Sequence, residues 1–315
     1  MIKFAKTKPQ AVVPTKRKED AGYDLFSDSE FYLIDLKSKF NKINPKEYYL
    51  SYSGGKDSHF LYWFLRVWLF ENDIDMYIKY RDIEIVGCNT YMEHPQILKR
   101  IYDNSDRVLL PAMKPFEIKE KYGIPCFSKE QDQFIYSYQK AISENREIPR
   151  TTKEKVYGTY HTGFNISKKA RGYILSGQAH KITHHCCTKL KKEPFHKYEK
   201  ETGRKPILGI RSGESALRKR MYRTCFTSNG KFTPIHDLKD ETLEAIIELY
   251  NIEVPEIYDH ISRTGCMGCP YGSWKKETQK ELKLIDNPNQ LKFISEYFKE
   301  SYEVLGVDVE KIKED

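Results

Sequence analysis

The chain has 315 residues, a length that fits about two domains. Hydrophobic residues make up 39% of it and aromatic residues 13%, which excludes a disordered chain. The net charge of +8 permits a polyanionic partner without requiring one. No apolar run reaches the roughly 18 residues of a membrane span, and the first ten residues lack the apolar segment of a signal peptide. We therefore expect a cytoplasmic protein that does not enter a membrane.

The predicted elements alternate between strand and helix. Residues 1–34 are predicted to form an extended arm with a turn at Gly22, and residues 35–46 a charged lead-in. Strand patterns follow at 47–53, 82–90, 107–111, 172–176 and 205–210, and helical patterns at 58–70, 95–102, 129–144 and 240–250. Asp240 is the expected N-cap of the last helix, and the chain from residue 277 reads as mostly helical. This order predicts an α/β fold with a parallel sheet and right-handed crossovers.

A glycine-rich loop lies between the first predicted strand and its helix. Two glycines let the backbone turn tightly and approach a ligand closely. The amide groups of the loop and the start of the helix behind it favour an anion. The sequence is not a Walker A loop, because Leu50 stands where that motif needs glycine. The loop consists of Ser53, Gly54, Gly55, Lys56, Asp57 and Ser58. A glycine turn without a ligand is the alternative.

This loop resembles the SGGxDS signature of the PP-loop family of adenine-nucleotide α-hydrolases. The resemblance implies a Rossmann-like, five-stranded parallel sheet flanked by helices. It also implies that the loop holds the pyrophosphate or sulfate side of an adenylated nucleotide.

Four of the seven cysteines are paired along the sequence, as a vicinal pair and a CxxC motif. They are Cys186, Cys187, Cys266 and Cys269. Four soft thiolates suit an iron–sulfur cluster or zinc. A vicinal pair is less usual for structural zinc, whose ligand pairs are commonly spaced by two to four residues. Buried apolar cysteines are the alternative.

The segments CCTKLKKEPF (186–195), GIRSGES (209–215) and GCMGC (265–269) resemble, in this order, the PAPS/APS reductase branch of the PP-loop family. That branch implies a [4Fe–4S] cluster on the four cysteines, close to the nucleotide. Arg211, Ser215 and Arg218 follow a strand end, where ligands of α/β proteins bind. Arginine forks suit phosphate or sulfate oxygens, and a solvated basic loop is the alternative.

The chain departs from the reductases at one position that matters for the chemistry. Those enzymes carry a nucleophilic cysteine near the C-terminus, and here no cysteine follows Cys269. The full SGGKDS loop is similar to that of ATP-using relatives, such as the DNA-phosphorothioation enzymes and tRNA thiolases. We therefore expect an enzyme that splits Mg-bound ATP into AMP and pyrophosphate for sulfur transfer, with Lys56, Asp57 and Arg211 as its catalytic residues.

Two other functions stay open. One is an APS or PAPS reductase that releases sulfite through a displaced nucleophile such as Cys225 or Cys126. The other is a regulatory nucleotide-binding module with a structural four-cysteine metal site. Basic stretches at 168–171, 189–192 and 218–223 make a nucleic acid one candidate acceptor, and a sulfur-donor protein is another candidate partner. His184 and His185 are expected to support the site or the structure rather than bind metal.

The expected organisation has three parts. Residues 1–34 form an N-terminal extension, because residues 6–26, with the motif AGYDL, resemble the first segment of a dUTPase. Later dUTPase motifs do not follow, so we do not expect that activity. Residues 35–235 form the PP-loop nucleotide-binding domain. Residues 236–315 form a helical region that carries the CxxC motif.

Overall fold

One parallel sheet organises the protein. The structure is a computed structural model that describes residues 23–214, 216–272 and 281–309. The strands of its sheet are β1 (Tyr48–Tyr52), β2 (Glu84–Cys88), β3 (Arg107–Leu109) and β4 (Lys205–Leu208). Their order in the sheet is β3-β2-β1-β4, and Leu50 of β1 pairs with Ile85 on one side and with Ile207 on the other. The predicted α/β class with a parallel, Rossmann-like sheet is confirmed.

The sheet has four strands within the described residues, so the expectation of five is wrong. The predicted strand at 172–176 lies in a helix that begins at Lys168 and ends at Leu175. The Ser167 side chain caps this helix by accepting a hydrogen bond from the Ala170 amide at 3.2 Å. Ala170 and Ile174 are buried one helical turn apart. A short apolar run fits either element by pattern alone, and here the cap and the one-sided burial favour the helix.

Helices occupy most of the rest of the described chain. They are α1 (Tyr23–Phe40), α2 (Lys56–Trp63), α3 (Leu69–Asn72), α4 (Ile74–Tyr80), α5 (Pro95–Asn104), α6 (Pro115–Tyr122), α7 (Lys129–Ser143), α8 (Arg150–Tyr157), α9 (Lys168–Leu175), α10 (Glu193–Thr202), α11 (Ala216–Met221), α12 (Asp240–Leu249) and α13 (Pro288–Leu305). Two π-helical segments, Phe64–Trp68 and Thr188–Lys192, precede α3 and α10. The short 3-10 helices are Pro45–Glu47, Ser212–Glu214 and Glu256–Asp259.

Helix α1 corrects the prediction of an extended N-terminal arm. Residues 23–34 are helical, and the helix continues to Phe40 across the expected boundary between residues 34 and 35. Leu33, Leu36 and Phe40 are fully buried against the main core, because their spacing places them on one helix face. The expected turn at Gly22 and most of the dUTPase-like segment lie outside the described residues.

The central strand buries side chains on both faces of the sheet. Leu50 packs in one core with Phe40 and Phe64, whereas Tyr49 packs in a second core with Tyr198 of α10. Helices therefore cover both faces, as a parallel sheet requires. Loops that carry the predicted nucleotide residues leave the carboxyl ends of β1 and β4 at one edge, where ligands of such sheets bind.

None of the helices in the described chain has both the length and the apolar character to cross a bilayer.

Candidate functional site

The loop after β1 is held in shape by its own serines. The Ser53 and Ser58 hydroxyls lie 3.0 Å apart, and Ser58 also donates to the Gly55 carbonyl at 3.0 Å. Gly54 has a φ of +72°, and a Cβ there would lie 2.8 Å from the Ile97 carbonyl oxygen. Only glycine fits this backbone. The loop therefore leads into α2 with a fixed geometry.

The segment after β4 forms the second wall of the site. A Cβ on Gly209 would lie 2.8 Å from the Ser58 amide nitrogen, so the two loops touch through their backbones. Arg211 follows and is buried, with 7% of its surface exposed. Its Nε donates to Oδ1 of Asp57 at 2.8 Å, and its Nη1 donates to Asp240. The structure thus brings together two predicted residues that are far apart in sequence.

Asp240 has a different role from the predicted helix cap. The N-cap of α12 is Lys239, which makes no side-chain cap hydrogen bond, and Asp240 lies in the first turn. Burial opposes the charge of Arg211, but the carboxylates of Asp57 and Asp240 more than offset this and raise the pKa of its guanidinium. The arginine is therefore a fixed cation in the wall of the site.

A third wall comes from the segment between α12 and the CxxC motif. The hydroxyl of Tyr258 accepts the Lys56 amide at 3.0 Å and lies 3.1 Å from Oγ1 of Thr264. Nζ of Lys56 lies 3.7 Å from Oε1 of Glu244. Tyr258, Ser262, Arg263, Thr264 and Gly209 were not predicted as site residues. No motif marks Tyr258 or the polar run SRT (262–264), because only folding brings them to the loop, whereas Gly209 begins the predicted GIRSGES segment (209–215).

These walls enclose a cleft of about 150 Å³. It is lined by Ser53, Gly55, Lys56, Asp57, Ser58, Gly209, Arg211, Arg218, Tyr258, Ser262, Arg263 and Thr264. Two of the residues predicted to bind nucleotide are missing from this lining. Gly54 does not line the cleft, and Ser215 lies outside the described residues. The cleft combines a helix start, hydroxyls and four cationic side chains against one carboxylate. That chemistry suits a multiply charged phosphate or sulfate group.

The four predicted metal ligands lie in one neighbourhood. Cys186 is buried, and the other three are partly exposed. Burial, followed by the nearby Cys266 and Cys187 thiols, raises the pKa of Cys186, and burial likewise raises the pKa of Cys266 to about 11. Burial and the same thiols raise the pKa of Cys269. Their arrangement is not that of a closed metal site: in the described chain, no three Cys, His, Asp or Glu side chains group closely enough to hold a metal ion.

Hydrogen bonds fix the CxxC turn. The Met267 amide donates to the Met92 carbonyl at 2.7 Å, and the Cys269 amide donates to the Cys266 carbonyl at 3.1 Å. Gly268 has a φ of +62°, and its carbonyl accepts the Tyr302 hydroxyl. The turn therefore joins the loop after β2 to helix α13.

The third wall of the cleft and the CxxC turn belong to one continuous segment. Thr264 lines the cleft, and Cys266 lies two residues later. Near these cysteines, Nζ of Lys191 lies 3.8 Å from Oε1 of the buried Glu93. Any group held by the four cysteines would lie close to a ligand in the cleft.

The two histidines beside the cysteine pair lie in an aromatic group. His184 and His185 have ring centroids 4.3 Å apart, and Tyr136 lies 4.6 Å from His185. Burial, followed by neighbouring positive charges, lowers the pKa of His184 to about 4 and also lowers that of His185. Nδ1 of His184 has no hydrogen-bond partner among the described residues.

The three remaining cysteines differ in their surroundings. Cys126 is fully buried and Cys88 is 4% exposed, and burial raises the pKa of each thiol to about 12. Cys225 is partly exposed, packs against the main core beside α1, and has a pKa raised by burial. A raised pKa disfavours the thiolate that a nucleophile needs.

No protein-family model matches the chain, and the search of curated proteins finds no significant match.

Proposed function

We propose that this protein is an ATP-splitting sulfur-transfer enzyme of the PP-loop type, with an iron–sulfur cluster beside its nucleotide. The observation that carries the proposal is the cleft in which the 53–58 loop, Arg211 and the 258–264 segment converge. That segment runs directly into Cys266. A phosphate site and a four-thiol group are thereby neighbours.

The cleft suits the pyrophosphate end of ATP. Arg211 and Lys56 supply positive charge from two walls, and the amides at the start of α2 supply donors. The Lys56 amide now donates to the Tyr258 hydroxyl, so a bound phosphate oxygen could replace that acceptor. Asp57 lies at the same place and is an oxygen ligand of the kind that Mg²⁺ prefers.

The proposed reaction has two displacement steps. An acceptor oxygen attacks the α-phosphorus of ATP, the bond to the bridging oxygen breaks, and pyrophosphate leaves with the electron pair. A sulfur nucleophile at the oxidation level of hydrosulfide then displaces AMP, which leaves with the acceptor oxygen. Lys56 and Arg211 neutralise the charge that develops on pyrophosphate, and a Mg²⁺ ion held at Asp57 would add to this when bound.

The cysteine group matches a [4Fe–4S] cluster in donor chemistry, although its thiols would have to move closer together to hold the metal, because no three of them group closely enough in the described chain. Four thiols are held in partly buried surroundings, and the CxxC turn is fixed by hydrogen bonds from Met267 and Tyr302. Thiolates are the ligands of such clusters and also of zinc. A cluster would supply a soft binding site for sulfur close to the nucleotide.

The reductase alternative has less support. Its displaced nucleophile would be Cys126, which is fully buried, or Cys225, which packs beside α1. Neither thiol lines the cleft.

Calorimetric titration of the anaerobically purified protein tests the nucleotide choice. We expect Mg-ATP to bind. The substitution Lys56→Ala should weaken this binding by about 1.5–3 kcal/mol, which is typical of a lost charge-assisted hydrogen bond. The exposed Lys99→Ala is the matched control and should bind normally. Tight APS or PAPS binding with none for Mg-ATP would replace this proposal by the reductase. Tight ATP binding without pyrophosphate release in the presence of acceptor and sulfide would favour the regulatory module.

A further inference from the structure

Four rings form a compact group beside the cysteine pair. We call this group the ring cluster; it consists of Tyr122, Tyr136, His184 and His185. The His185 centroid lies 4.6 Å from that of Tyr136 and 5.5 Å from that of Tyr122. All four side chains are partly exposed. His185 directly precedes Cys186, so the cluster adjoins the proposed cofactor site.

Lysines surround the ring cluster. Lys121 and Lys189 each place Nζ 5.4 Å from the Tyr122 centroid, and Lys140 places Nζ 6.0 Å from that of Tyr136. Lys129 and Lys192 lie close enough to act electrostatically on His184. These five lysines come from α6, α7 and the π-helical segment after Cys187, which folding brings to one surface.

Within the described part of the chain, two carboxylates pair with these lysines. Glu193 pairs with Lys189 at 2.5 Å, and Glu144 lies 3.9 Å from Lys140. Both pairs are exposed enough to be screened by solvent, so they are readily exchanged for another anion. The surface therefore combines partly exposed aromatic rings with a local excess of positive charge.

This combination matches one class of partner. Unpaired bases stack on aromatic rings, and the phosphates of the same strand contact lysines. A duplex hides its base faces, and an acidic peptide would use the lysines but not the rings.

We propose that the ring cluster and its five lysines bind a single-stranded segment of nucleic acid next to Cys186 and Cys187. The role of that strand as the sulfur acceptor rests on the proposed function. The binding itself does not, because it requires neither ATP nor a cluster.

Fluorescence anisotropy with the full chain tests the binding. The probe is a labelled oligothymidylate of about 20 nucleotides, longer than the ~4–16 that single-strand sites of this kind span. An abasic strand of equal length carries the phosphates without the bases. We expect the oligothymidylate to bind at least about fivefold more tightly than the abasic strand, as the stacking of even one base provides. Equal affinity for both strands, or tighter binding of a duplex, would overturn the proposal.

Variants separate stacking from charge. Tyr136→Ala should weaken oligothymidylate binding roughly five- to hundredfold with little effect on the abasic strand, whereas Tyr136→Trp should retain it. Lys140→Ala should weaken the binding of both the oligothymidylate and the abasic strand. It should also reduce the slope of log affinity against log salt by about 0.7. The exposed Phe70→Ala and Lys197→Ala lie outside the cluster and serve as matched controls. Unchanged binding by Tyr136→Ala would refute the stacking, and folding of each variant is checked by its unfolding transition.

The two proposals fail in different ways. If Mg-ATP does not bind but the oligothymidylate binds through Tyr136, the sulfur-transfer function falls and the surface stands. If Mg-ATP binds and is split while the base-dependent binding is missing, the function stands and the acceptor is another molecule.

Discussion

Nε of Arg211 lies 2.8 Å from Oδ1 of Asp57, although the two residues are 154 positions apart in sequence. Their pairing fixes the loop after β4 against the loop after β1. The Arg211 side chain is nearly buried, with 8% of its surface exposed, and the Asp57 side chain is 21% exposed. The residues that were expected to contact nucleotide therefore also hold the cleft together.

Arg211→Ala should lower the free energy of unfolding by roughly 2–3 kcal/mol. Loss of a buried cation leaves its carboxylate partners uncompensated, and the partial exposure of Asp57 moderates the cost. Lys37→Ala, which removes a more exposed pair with Asp73, should cost less than about 1 kcal/mol. Urea unfolding measures both variants, and an equal, small cost for the two would show that the Arg211 pair contributes little.

Gly209→Ala should displace the glycine-rich loop at residues 53–58. The added Cβ would lie 2.8 Å from the Ser58 amide nitrogen and 2.9 Å from the Asp57 carbonyl carbon, and backbone atoms cannot move aside separately. We expect a loss of Mg-ATP affinity of about tenfold or more, together with destabilisation of roughly 1–3 kcal/mol. Gly213→Ala lies in the same wall with no atom within 4 Å and should retain affinity. Normal ATP titration of Gly209→Ala would contradict the close approach of the two loops.

Iron content tests the assignment of the four cysteine ligands. Protein purified without oxygen should be brown and carry about four irons per chain. Replacing Cys186, Cys187, Cys266 or Cys269 by Ala should remove the colour. Cys225→Ala is the matched control, because its thiol packs beside α1 and away from the CxxC turn; Cys88→Ala and Cys126→Ala should also retain iron. Zinc without iron after anaerobic reconstitution would refute the cluster, and iron loss in Cys225→Ala would refute the ligand set.

His180 should make stability depend on pH in the acid range. Burial lowers its pKa from 6.5 to about 4, so between these values the unfolded chain binds a proton that the folded chain does not. The free energy of unfolding is therefore unaffected by this group above pH 6.5. It falls as the pH decreases towards 4, by roughly 2–3 kcal/mol in total. His180→Gln should flatten that part of the curve.

Ser301→Ala provides the comparison for His180. The Ser301 hydroxyl lies 3.1 Å from Nε2 of His180 and donates to the Pro125 carbonyl at 2.8 Å. Its loss should lower stability at every pH without flattening the acid slope, because the titrating ring remains. Urea unfolding between pH 4 and 7 measures both variants. An unchanged slope in His180→Gln would show that this ring does not titrate in the stated range.

The local sequence pattern was sufficient to predict most of the helices and strands. The strands at 47–53, 82–90, 107–111 and 205–210 and the helices at 58–70, 95–102, 129–144 and 240–250 are confirmed within a few residues. Each combines a clear period with a turn or glycine boundary. The strand at 172–176 was wrong because five apolar and small residues fit two periods, and the cap from Ser167 lies outside that window. The arm at 23–34 was wrong because its helical face becomes evident only with Leu36 and Phe40 included.

The sequence by itself determined which chemistry the chain carries: a glycine-rich anion loop, two arginines after a strand, and two cysteine pairs. Only the tertiary structure decided where these groups meet. Tyr258 and Thr264 belong to the cleft through hydrogen bonds, and such contacts leave no spacing pattern in the sequence. Asp240 reads locally as a helix cap, yet it pairs with Arg211, because the packing of α12 brings its first turn to the end of β4. Periodicity records which face of an element is buried, whereas the partners of a polar group depend on how elements distant in sequence pack together.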